Sequence, residues 1–110
     1  MRTDRPEKIR IGYRDFTIRF VDKVDAEGSL GDCEKNTGKI RVMKGMDGAE
    51  KANVVLHEIT HAIIHAQGLD LSEKTEEKVV LAIANGMISF MRDNPRFMGR
   101  LLRLLKKLPE

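Results

Sequence analysis

The chain of 110 residues has one cysteine, no tryptophan, one tyrosine and three histidines. Each scarcity excludes something. A single thiol, Cys33, cannot form an internal disulfide and fits a reducing compartment, so it reads as a small buried hydrophobe rather than a crosslink. No apolar run approaches the ~18 residues that mark a membrane-spanning helix, and the first residues, MRTDRPEKIR, lack the apolar stretch of a signal peptide. A cytoplasmic protein without a membrane span is expected. Only 4 Phe and 1 Tyr are available to stack on bases, and the net charge of +3 is spread through alternating acids and bases, so nucleic acid is not the expected partner.

With 41% apolar residues, a chain of this length supports one modest core and a single domain over 1–110. Its first half reads as β-structure. Lys8 to Gly12 and Phe16 to Val21 alternate apolar with polar residues around a polar turn at Arg14-Asp15. A loop over Asp25 to Gly31 precedes a short strand, Gly31 to Glu34. The turn residues Asn36-Thr37-Gly38 then lead into Lys39 to Met43. The expectation is an antiparallel sheet of three or four strands.

The second half is helical. Asp47-Gly48-Ala49-Glu50 has capping-box spacing, Gly68 stands where a helix ends, and Ala52, Val55, Leu56, Ile59, Ala62, Ile63 and Ala66 form the expected core stripe between them. Acids in the first turn after Ser72 favour a second helix through Met91. Asn94-Pro95 closes it and opens a third. This is an α+β layout: a small N-terminal sheet, then three helices.

The first of these helices carries His57-Glu58-Ile59-Thr60-His61, an intact HExxH. Residues four apart lie one turn above each other on a helix, so both imidazoles can address one metal ion, while Glu58, ~100° round, flanks the same place. That arrangement is the chemistry of a zinc-dependent hydrolase, with water activated on the metal and Glu58 as general base. A catalytic zinc takes three protein ligands, and in a helical hairpin the depth of His61 is matched by Glu76 or Glu77. Glu77 shares a stripe with Val80, Leu81, Ala84 and Ile88, and Glu76 with Val79, Val80, Ile83 and Met87, so periodicity leaves both open. His65, ~12 Å along the axis from His57, is too far to join comfortably and reads as a surface or supporting residue. Gln67 occupies the place where metzincins carry their third histidine, which excludes that class.

The run VVLHEITHAIIH after a β-meander, followed by an acidic second helix with ANGMISFMRDNP, resembles the small phage-type zinc metallopeptidase-like proteins related to the ImmA/IrrE-type peptidases and compact gluzincins. The resemblance covers roughly residues 8–95. It implies zinc held by His57, His61 and an acid of the second helix, with Glu58 as base. In that family's pattern the acid falls about two turns before the Ala-Asn pair, so the resemblance implies Glu77, ahead of Ala84-Asn85. The substrate implied is a protein or peptide, and by analogy with zincins Lys39 to Met43 is the strand that would pair with it. A second reading is a metal-bearing but catalytically silent phage accessory or interaction module.

The third helix places Arg96, Arg100, Arg103 and Lys107 on one face and Phe97, Leu101, Leu104, Leu105 and Leu108 on the other. Such a helix is expected to cover the domain's own core and leave its basic face in water.

Overall fold

Alternation in the first half puts Ile9, Phe16, Ile18, Ile40 and Val42 on one face of a sheet, and that face is where the core forms. The computed structural model describes residues 5–22 and 29–106. Its elements are β1 (Glu7–Ile11), β2 (Arg14–Val21), β3 (Gly31–Glu34), β4 (Lys39–Met43), α1 (Gly48–Ala66), α2 (Glu73–Asp93) and α3 (Pro95–Lys106), the expected α+β layout. Part of the expected loop, Asp25 to Gly28, lies outside the described residues, as do Lys107 and Leu108 of the last helix. Among the described residues no helix is long and apolar enough to cross a membrane.

The sheet order is β1-β2-β4-β3, and it is mixed rather than antiparallel throughout: β2 pairs with β4 in parallel. The reason is topological. β3 enters at the far edge, and the tight turn of residues 35–38 returns β4 into the slot between β3 and β2, running the same way as β2. Alternation and turn residues look alike for both pairings, so nothing local distinguished them. A consequence is that Lys39 to Met43 is an interior strand and cannot pair with a substrate. The edge strand on that side is Gly31–Glu34.

The first hairpin turns at Gly12-Tyr13, two residues before the expected Arg14-Asp15, because Gly12 adopts φ +67° at the first of two linking positions. Arg14 instead begins β2 and donates to the carbonyls of Lys35 (2.8 Å) and Asn36 (3.1 Å), which fixes the β3–β4 turn.

Both ends of α1 follow the sequence signals. Asp47 accepts from the Glu50 amide at 2.9 Å, and Gly68, at φ +72°, closes a Schellman turn with Gly68 N–H to His65 O and Leu69 N–H to Ile64 O. Its buried set differs from the expected stripe. Glu58, Thr60, Ala62 and Ile64 are buried, whereas Ala52 and Ile63 are exposed. A helix packed on one partner buries one stripe, but α1 lies against the sheet on one side and α2 on the other, so burial extends round most of its circumference.

On α2, the inner line is Glu76, Val80 and Ala84, with Ile88 and Met91 half-buried beyond. Val79, Leu81, Ile83 and Met87 are exposed, so neither expected stripe is wholly internal. Asn53 donates to Asn85 at 2.9 Å, and His61 meets Glu77 eight residues along each helix in opposite senses (61 − 53 = 85 − 77). The two helices therefore run antiparallel in constant register. Among the described residues the third helix does not cover the core: it has no buried residue and packs against no strand or helix but α2.

Candidate metal centre

His57 and His61 lie on the face of α1 that meets the first turns of α2, with ring centroids 5.1 Å apart. Glu77 joins them. One of its oxygens is 3.0 Å from Nε2 of His57 and the other 3.1 Å from Nε2 of His61, so a single carboxylate faces both rings. Ligand atoms of these three residues all lie within 4.8 Å of one another, a spacing able to hold a metal ion. Donors on a tetrahedral ion with bonds of ~2.0–2.2 Å stand ~3.4 Å apart, so little movement brings this set to a common centre.

The other candidate acid does something different. Glu76 is buried, and its Oε2 lies 2.6 Å from Nδ1 of His61 and 2.9 Å from Nζ of Lys35. Burial alone pushes the Glu76 carboxyl up, yet the hydrogen bonds from His61 and Lys35 outweigh it and hold the group below its ordinary value. Glu76 is placed to accept a proton from Nδ1, and in that tautomer the Nε2 of His61, on the side of Glu77 and His57, is the nitrogen left to a metal ion. The order of the two acids on the helix decides this: Glu76 falls on the buried line with Val80, and Glu77 falls one step round toward the cleft.

Glu58 is 7% exposed and sits beneath β3. Burial is the main cause that pushes its carboxyl up to about 7. Asp32 and Glu77 add to the rise and His61 opposes it. The close approach of β3 depends on Gly31, which pairs with Val42 on the sheet face that α1 covers. A Cβ there would stand 2.9 Å from Cγ1 of Val54, 3.1 Å from the Arg41 carbonyl and 3.3 Å from Cγ of Glu58.

His57, Glu58, His61 and Glu77 line one open cleft of about 1060 Å³ with Cys33 and Lys35. Cys33 is half-buried and packs against the core. Burial, then the Glu58 carboxylate, push its thiol up to about 12, which suits the expected inert hydrophobe. His65 is exposed, a turn beyond His61.

The sequence alone did not point to Lys35. It lies 41 positions from Glu76, in a turn whose place is set by Arg14, and a lone lysine among 20 basic residues carries no local signal. Asp32 was likewise missed. It pairs with Arg41 across the β3–β4 ladder, with Arg41 Nε donating at 3.1 Å, and contributes to the field on Glu58.

Compared with known proteins, the chain matches no family model, no curated protein and no solved structure.

Proposed function

We propose that this chain is a zinc-dependent metallopeptidase in which His57, His61 and Glu77 hold the ion and Glu58 is the general base. The observation that carries the reading is the convergence of two Nε2 atoms and the Glu77 carboxylate on one point of the cleft that Glu58 also lines. Two imidazoles and a carboxylate are a donor set that suits zinc. Zinc, when bound, supplies a Lewis acid that acidifies water and polarises a carbonyl. The protein's own groups do the rest. Glu76 and Lys35 fix the tautomer and tilt of His61. Glu58, with a carboxyl near neutrality, takes a proton from water and returns it to the leaving amine. Gly31, Asp32 and Cys33 of the edge strand β3 also line the cleft, so an extended peptide added to that edge by backbone hydrogen bonds passes beside His57 and Glu58. The phage-type metallopeptidase-like proteins that HEITHAIIH resembles are the family in which this reading places the chain.

The test measures zinc affinity and peptide turnover on the same preparations. His57→Ala and Glu77→Ala are expected to lose zinc, and Glu58→Gln to keep zinc while losing turnover by ~10²–10⁴-fold. A Glu58→Gln protein as active as the parent, or a parent that takes up no zinc, removes the reading.

A second reading, a metal-bearing but catalytically silent phage accessory module, is favoured by one observation: the Glu77 side chain is 51% exposed, a loose tether for a catalytic ligand. It expects stoichiometric zinc with no cleavage of any peptide offered.

A further inference from the structure

Among the described residues, two apolar helix faces are left uncovered. On α2, Val79, Ile83, Met87 and Phe90 follow one another at i, i+4, i+8 and i+11 on the flank beside the line that packs on α1, and each is 36% to 50% exposed. On α3, Phe97, Leu104 and Leu105 are 42% to 62% exposed. The two faces are continuous, because the rings of Phe90 and Phe97 meet edge to face at 6.2 Å. Among the described residues α3 packs against α2 and no other strand or helix, and the radius of gyration is 14.8 Å, against about 13 Å for a packed domain of this length.

We propose that this surface is the interface of a homodimer in which α3 of each copy lies on the α2 flank of the other. The area is of the right size. At the ~150–250 Å² that a large aromatic buries, and less for the aliphatic side chains, the exposed fractions amount to on the order of 500 Å², as large as the patches a monomer leaves bare and the greater part of the ~800 Å² each partner covers in a standard interface. The geometry is self-complementary. A two-fold axis that seats α3 on the partner's α2 seats the partner's α3 on α2 in return, so both apolar faces are covered by one operation. Arg96 and Arg103 lie on the far arc of α3 and are exposed, and Arg100 borders the apolar face, its guanidinium 5.5 Å from the Phe97 ring centroid. A lipid surface fits less well. The arginines of α3 suit an anionic headgroup, but the border of the α2 flank that continues the face carries Thr75 and Asp93, so a lipid surface matches only half of it.

Light scattering and sedimentation equilibrium on the full-length chain test this independently of metal binding or turnover. The parent is expected to show twice the chain mass over a dilution series. Ile83→Glu on α2 and Leu105→Glu on α3, both at exposed positions of the single copy, are each expected to restore the single-chain mass with unchanged far-ultraviolet helicity and zinc uptake. A parent that stays monomeric up to its solubility limit overturns the proposal, as does a dimer indifferent to both substitutions. A monomer that co-sediments with phosphatidylserine vesicles through α3 overturns it in favour of a membrane.

Discussion

Glu76 and His61 are joined by a 2.6 Å contact between Oε2 and Nδ1, on the opposite side of the ring from the Nε2 that faces Glu77. Adjacent acids thus serve opposite edges of one imidazole. For zinc binding this predicts graded losses. On the proposed ligand set, Glu77→Ala removes one of three ligands and should abolish tight binding, whereas Glu76→Gln leaves the three in place but a poorly fixed ring and should weaken binding ~10–100-fold. Chelator competition measures both. The reverse ranking would exchange the roles of the two acids.

Glu58 ties the stability of the metal-free protein to pH. Its folded-state value of about 7 lies above the ordinary 4.5, so the folded protein holds this proton more tightly than the unfolded chain does. The stabilisation is complete below pH ~4.5 and is lost as pH rises through ~7. In chelator, urea unfolding of the parent should weaken relative to Glu58→Gln between these limits, the pairwise difference cancelling other titrating groups. Parallel curves for the two proteins would show that Glu58 ionises without penalty.

Gly31 is predicted to be intolerant of even one methyl group. Gly31→Ala places a Cβ 2.9 Å from Val54 and 3.1 Å from a backbone carbonyl, so α1 or β3 must move, at a cost of ~1–3 kcal/mol in unfolding free energy. Because Glu58 Cγ is the third neighbour, turnover should fall more than zinc affinity. An alanine protein with parental stability and activity would mean that the helix and strand separate freely.

Cys33 should resist alkylation. A thiol raised to about 12 by burial and by Glu58 exposes little thiolate at pH 8, so iodoacetamide should modify the folded protein at least ~10²-fold more slowly than the urea-unfolded chain. The rate should climb with pH well past the ordinary thiol range. Fast labelling at neutral pH would place the sulfur in water.

Local signals were legible in most places where they depend on neighbours in the chain; the first hairpin turn, expected at Arg14-Asp15 but made at Gly12-Tyr13, is the exception. Asp47 and Ser72 as caps, Gly68 with a left-handed backbone, Pro95 at the start of a helix, and the strands 31–34 and 39–43 all follow from side-chain chemistry acting over four or five residues. So does the pairing of His57 with His61, fixed by the helical repeat. These the sequence by itself determined. Contacts between distant segments decided everything else. Whether Glu76 or Glu77 faces the two histidines turned on a rotation of α2 that two apolar stripes left open, and packing chose the one that buries Glu76 beside Lys35. Lys39 to Met43 became interior and Gly31 to Glu34 the edge because strand order is set by a chain return, which alternation does not encode. The apolar face of α3 reads in sequence as a core-covering stripe, yet only its packing shows that no described strand or helix but α2 reaches it. Periodicity states that a face wants burial; which surface supplies it is a property of the assembled molecule.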